Sequence, residues 1–300
     1  MAKLIANYSK LFLGLLMFFV AAATRAQSSA PTINQKQEHV VRSSLNGTTY
    51  NLWISLPMRY SAKDTVRYPV LYLLDGGLNF PIAHAARTAM DIMGGLEDFI
   101  IVGIEYSWQK SLQPWMALRW KDFTHSRVVS ADTNRAFLNL VDLKKGALSS
   151  GGAADYLNVL RKEIIPFIDK KYRTNKDRGI SGFSLGGLFT AYCLFTAPDL
   201  FQRYGINSPS FWWNDKEMFK IEKSFSDSHQ SLSARVFMSV GALEGNSMTP
   251  VMTAFADSVR SRNYKGLMLT SYVFENETHM SVGPAMISRT LVVLYGKNRK

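Results

Sequence analysis

Residues 179–189 read Gly179-Ile180-Ser181-Gly182-Phe183-Ser184-Leu185-Gly186-Gly187-Leu188-Phe189. Within them, Gly182-Phe183-Ser184-Leu185-Gly186 has the spacing Gly-x-Ser-x-Gly, the mark of a turn where a strand passes at once into a helix and lifts a serine hydroxyl above the sheet. Such a turn strains the serine backbone. A side chain two residues before or after the serine is expected to strike the neighbouring strand or helix, hence the glycines. The pattern is short enough to recur by chance, so its setting decides. Gly179–Gly182 reads as a strand and Leu185–Thr196 as an apolar helix, whose N-terminus behind the serine favours developing negative charge.

Working outward, the chain alternates strands with helices. Tyr68–Leu74 and Phe99–Ile104 are continuous apolar runs, as in strands buried on both faces. Tyr204–Asn207, Val236–Val240 and Leu267–Phe274 are further strands. Helices are expected over Leu185–Thr196, Thr249–Arg262, from near Gly283, and over Ala153–Lys171, where Pro166 is placed to kink the chain. Val40–Ser43 and Tyr50–Leu56 form a hairpin about Asn46-Gly47. The pattern predicts an α/β-hydrolase fold: a mainly parallel central sheet with an antiparallel N-terminal edge and helices on both faces. Residues 108–152 break the rhythm and are expected to form a lid-like insertion in a single domain over residues 39–300.

Upstream, Lys3 and Lys10 precede an apolar run from Leu11 to Ala23, followed by small residues with Ala26 as the last before cleavage. That is the layout of a secretory signal peptide over residues 1–26, and the run is short for a bilayer span. A polar, flexible leader over 27–38 follows. The chain is thus expected to be exported, periplasmic or secreted, with no stable membrane insertion after cleavage. Its formal charge is +12, and +9 without Lys3, Lys10 and Arg25. Such a surface would attract anionic ligands, but the basic residues are scattered and show no zinc-finger spacing or basic helix, which argues against nucleic acid and favours a simply solvated basic surface. Cys193 is the single cysteine, so no intramolecular disulfide forms, and its apolar helix points to burial.

A serine hydroxyl needs a base. Of five histidines, only His279 lies in the loop after the last major strand, where this fold places its base. A carboxylate must orient the imidazole, and Glu244, after Val236–Val240, is in position, with Asp215, Asp257, Glu275 and Glu277 as rivals. The Leu185 amide is one candidate oxyanion donor. The second comes from Asp75-Gly76-Gly77-Leu78, with the Gly77 amide favoured over Gly76 and Leu78. Trp212 and Trp213 follow the strand after the nucleophile helix, and Trp115 and Trp120 lie in the insertion. These aromatics suit an apolar or aromatic ligand, with core packing an equal option for at least one of the Trp212–Trp213 pair.

Tyr68-Pro69-Val70-Leu71-Tyr72-Leu73-Leu74-Asp75-Gly76, the Ser184 motif through Phe189, and Ser208-Pro209-Ser210-Phe211-Trp212-Trp213 together resemble the "putative esterase" family of α/β-hydrolases, of the esterase D and ferric-enterobactin esterase type. Arg119 with Asp122-Phe123-Thr124, Val240-Gly241 with Glu244, and His279 extend the likeness over nearly the whole mature chain. The resemblance implies hydrolysis of a small-molecule ester through an acyl-enzyme, with no cofactor and no metal. It adds Arg119 to the candidate substrate contacts and allows a siderophore-type, anionic or aromatic substrate. Many members use Asp as the acid where this chain offers Glu244, and some siderophore esterases work with a Ser–His dyad. Acyl transfer to an alcohol, or ligand binding without catalysis, are the competing readings.

Overall fold

The computed structural model describes residues 36–61, 65–107 and 112–297. The expected signal at 1–26 and most of the expected leader lie outside them. So does Trp108, at the start of the expected insertion. The chain opens with β1 (Lys36–Arg42) and β2 (Thr49–Ser55), then β3 (Tyr68–Leu73), α1 (Gly76–Ile92) and β4 (Ile100–Tyr106). The insertion holds α2 (Leu112–Phe123), α3 (Val129–Asp132) and α4 (Arg135–Leu140). After it, α5 (Ala153–Val159) runs through one π turn (Leu160–Ile164) into α6 (Ile165–Lys171). There follow β5 (Thr174–Phe183), α7 (Leu185–Thr196), β6 (Arg203–Asn207), α8 (Trp213–Ser226), β7 (Ser231–Gly241), α9 (Thr249–Ser261), β8 (Lys265–Phe274) and α10 (Gly283–Tyr295).

The eight strands form one sheet in the order β1-β2-β4-β3-β5-β6-β7-β8. β1, β2 and β4 pair antiparallel, and every pair from β4 to β8 is parallel. That is the expected α/β-hydrolase sheet with its antiparallel edge. The alternation of side chains along a strand explains the unbroken apolar runs. Leu71, Leu73 and Ile101 pack toward Phe80 and the helix residues Met286, Leu291 and Tyr295, on the α1–α10 face. Val70, Tyr72, Ile100 and Val102 belong to the other layer, with Phe123, Tyr156, Leu188 and Phe189. The described residues belong to one compact unit, Lys36–Lys300.

Several elements differ from expectation. Residues 36–38, read as the end of the leader, are the first rungs of β1, pairing with Ser55, Ile54 and Trp53. The segment after Asp75 is a helix of 17 residues, α1, rather than a loop alone. The insertion is helical, and α2 is held into the body by buried Trp120 and Phe123. At Pro166 the helix widens into a π turn. Proline has no N–H to close an α turn, and the Ile165 N–H reaches back to the Leu160 carbonyl to make the π turn.

Candidate active site

The turn at Ser184 joins β5 to α7. Ser184 has φ 60° and ψ −119°, a region that a non-glycine residue occupies only when its surroundings force it. The Ser184 N–H donates to the Asn207 carbonyl at 3.0 Å, and its own carbonyl accepts the amides of Leu188 at 3.0 Å and Ser210 at 3.1 Å. The end of β6 therefore grips the strained residue from both sides. A Cβ on Gly182 would run into the Gly186 carbonyl. The expectation of a collision at Gly186 is corrected: a Cβ there would meet the Asp75 carboxylate at an ordinary 3.4 Å. The tight place is Gly187, where a Cβ would stand 2.6 Å from the Asn207 carbonyl oxygen.

His279, in the loop between β8 and α10, reaches this turn. The Ser184 hydroxyl and His279 Nε2 are 3.1 Å apart, and His279 Nδ1 lies 2.6 Å from Glu244 Oε2. The loop carrying Glu244 is tied to the histidine loop by the amides of Ala242 and Leu243, which donate to the Phe274 and Glu277 carbonyls at 2.9 Å. The Phe183 ring stacks on the imidazole, centroids 4.5 Å apart. The Glu244 carboxylate is sealed from solvent, whereas 35 % of the His279 side chain is exposed. Burial by itself pushes the Glu244 carboxyl up, but hydrogen bonds from His279, Ser208 and the Gly241 amide, with the histidine's charge, outweigh it and hold it below its ordinary range. A carboxylate that stays ionised, with an N–H of the imidazole on one oxygen, leaves Nε2 bare toward the serine.

The other histidines and the rival carboxylates lie apart from this relay. His39 meets the Tyr172 hydroxyl, His84 the Ser55 hydroxyl and His125 the Glu217 carboxylate, while His229 stacks on Phe225. Asp257 pairs with Arg260, Glu277 accepts from Ser281, and Glu275 is exposed. Asp215 sits in a run of left-handed backbone with Asn214 and Lys216.

One contributor escapes a reading of the sequence. Ser208 is fully buried with φ 40°, and its hydroxyl donates to Glu244 Oε1 at 2.6 Å. Its only sequence signal is a serine before proline at a strand end. Ser210 brings a second hydroxyl within 3.4 Å of the Ser184 hydroxyl.

The loop after β3 is built on Asp75, left-handed at φ 50° and ψ 52°, which caps α1. Its carbonyl accepts the Leu78 and Asn79 amides. The Leu185 amide belongs to the first turn of α7, where helix N–H groups lack intrahelical acceptors. The Gly77 amide, favoured as the second oxyanion donor, is engaged: it donates to Glu105 Oε2 at 2.7 Å.

Two expected substrate contacts are corrected. Arg119 is only 6 % exposed, and its Nε and Nη2 donate to the two Asp75 oxygens at 3.1 and 2.8 Å. It braces the loop from below, its guanidinium also stacked over Trp115 at 4.8 Å. Trp213 is 1 % exposed, donates its indole N–H to the Ser126 hydroxyl and packs edge-on against Trp120, itself buried. Both indoles are core. Trp212, 40 % exposed, and partly exposed Trp115 remain available to a ligand.

Beside this geometry stand the comparisons with known proteins. The profile of the family described as "Putative esterase" matches residues 43–279. The chain belongs to that family. It is accordingly a carboxylic ester hydrolase. Among curated relatives of this esterase, the ferri-bacillibactin esterase BesA of Bacillus subtilis (strain 168) is 29 % identical over 276 residues, covering 88 % of this chain and 91 % of the relative. Among solved structures, the BES protein from Bacillus cereus superposes with a TM-score of 0.72 at 29 % identity, over 87 % of this chain and 94 % of that one. An IroE-like serine hydrolase from Shewanella oneidensis shares the fold, with a TM-score of 0.70 at 24 % identity over 86 % of this chain and 79 % of that one. Among the described residues, no helix is long and apolar enough to cross a membrane.

Proposed function

We propose that this esterase cleaves its substrate through an acyl-enzyme on Ser184, with His279 as general base and Glu244 as the acid that orients it. The observation that carries the reading is the relay of 3.1 and 2.6 Å from the serine through the imidazole to a buried carboxylate, on a backbone turn that is strained but firmly held. His279 Nε2 takes the hydroxyl proton as Ser184 Oγ attacks the ester carbonyl, and the Leu185 and Gly77 amides receive the oxyanion. The same imidazole passes that proton to the departing alcohol, then deprotonates the water that releases the acid. Glu244 keeps Nδ1 protonated and steadies the imidazolium.

The proposed substrate class is a siderophore-type ester, processed after export directed by residues 1–26. Three observations support it. BesA, which aligns with most of this chain, is a ferri-bacillibactin esterase. The net charge of +9 left without Lys3, Lys10 and Arg25 draws anionic ligands such as ferric catecholate complexes. Trp212 and Trp115 offer aromatic surface to a ligand's rings. The test is hydrolysis by purified protein lacking residues 1–26, with ferric catecholate triesters and p-nitrophenyl esters assayed side by side. The ferric triesters are expected to show the higher kcat/KM, and Ser184→Ala to lose activity on both by at least about 10⁴-fold. Rapid turnover of the simple esters with none of the ferric ones would sink the substrate class.

A further inference from the structure

Glu105 ends β4 with its side chain in the interior, the residue 2 % exposed, and the ester-cleaving mechanism above makes no use of it. Its Oε2 accepts the Gly77 amide at 2.7 Å and its Oε1 accepts the Tyr106 amide at 2.8 Å. Glu105 thus joins the sheet to the loop after β3. The N–H it occupies is the one assigned to the oxyanion, and an amide aimed at a carboxylate is turned away from any other acceptor. A carboxylate left within a few ångströms of a developing oxyanion also repels it.

We propose that Glu105 is a positioning residue that controls the oxyanion loop: as a carboxylate it holds the Gly77 N–H away from the reacting carbonyl, and as a neutral carboxyl it yields that N–H to the oxyanion. The proposal rests on the reading of Ser184 and Gly77 given above.

The charges around Glu105 make both forms accessible. Asp75 faces it from the loop after β3. From α2 come Trp115 and Arg119, whose guanidinium is committed to Asp75. On β4 itself the neighbouring Tyr106 directs its hydroxyl to Asp122. Burial first, then the Asp75 charge, push the Glu105 carboxyl up to about 7, against hydrogen bonds from the Tyr106 and Gly77 amides. The group is neutral below that pH and ionised above it. Going alkaline therefore withdraws an oxyanion donor and adds a negative charge beside the site.

The experiment is the rate of labelling by a fluorophosphonate probe from pH 6 to 9, which requires the nucleophile and the oxyanion donors but no natural substrate. Wild type, Glu105→Gln, Glu105→Ala and Ser184→Ala are compared, with thermal melts to establish folding. Wild-type labelling should decline on the alkaline side. In Glu105→Gln the decline should vanish, leaving a plateau about tenfold above wild type at pH 8, the ratio set by a carboxyl titrating near 7. Glu105→Ala, which removes the carboxyl, should lose the same decline and stands in if the Gln variant does not fold. An unchanged alkaline decline in the folded variants, or slower labelling than wild type at every pH, overturns the role of Glu105 while leaving Ser184 as nucleophile. Labelling of Ser184→Ala at the wild-type rate overturns the nucleophile and this proposal together.

Discussion

Glu244 accepts two hydrogen bonds on Oε1, from the Ser208 hydroxyl and the Gly241 amide, and one on Oε2 from His279. This asymmetry predicts what an isosteric amide would do. In Glu244→Gln the single carbonyl oxygen is drawn to the two donors, so the NH₂ group faces His279 Nδ1. The imidazole must then accept at Nδ1 and carry its proton on Nε2, which is the tautomer that cannot take the serine proton. We expect kcat to fall by about 10³–10⁴ with KM little changed, measured by steady-state hydrolysis of a p-nitrophenyl ester. A loss of tenfold or less would mean that the Ser184–His279 pair works without its acid. Arg119 teaches the opposite lesson at this scale. A lone arginine near a candidate site reads equally well as a ligand contact or as the partner of a buried acid, and only the coordinates pair it with Asp75.

The strand–turn–helix element shows how local sterics select its glycines. The Gly-x-Ser-x-Gly pattern predicts that both flanking glycines are indispensable, yet contacts separate them. At Gly187 an added Cβ would press on the Asn207 carbonyl at 2.6 Å, and this carbonyl accepts the Ser184 amide. Relief would require moving backbone that also holds Ser184. At Gly186 the nearest atoms lie 3.4–3.7 Å away. Gly187→Ala is therefore expected to cost about 2–3 kcal/mol, lowering Tm by roughly 4–12 °C for a chain of this size. Gly186→Ala should stay within about 1 kcal/mol, since alanine is the better helix former. Thermal unfolding of the two variants checks this, and the reverse ranking would contradict it. Other elements were hidden from periodicity for identifiable reasons. In α1, Arg87 and Asp91 are buried as a pair, so polar residues sit on the inward face and blur the apolar stripe. In α8, the left-handed run of Asn214, Asp215 and Lys216 interrupts the helical spacing at its start.

For the molecule as a whole, what the sequence makes legible is what depends on order along the chain. Continuous apolar strands, their alternation with helices, and the succession Ser184, Glu244, His279 determine sheet topology and the loops that converge above it, because each loop after a parallel strand emerges at the same edge. Contacts that close in space stay hidden: Ser208 beneath Glu244, Arg119 beneath Asp75, Glu105 on the Gly77 amide, Trp213 in the core. None of these pairs is near in sequence, and each depends on how β4, β6 and the helical insertion pack. The central claim, that these convergent loops make residue 184 a nucleophile activated by residue 279, is open to one direct measurement. The protein is reacted with a fluorophosphonate, digested, and the adduct located by mass spectrometry, alongside His279→Ala treated in the same way. A single adduct on the peptide containing Ser184, slowed by at least about 10³-fold in His279→Ala, is the predicted result. An adduct on another residue, or equal rates in the two proteins, would contradict it.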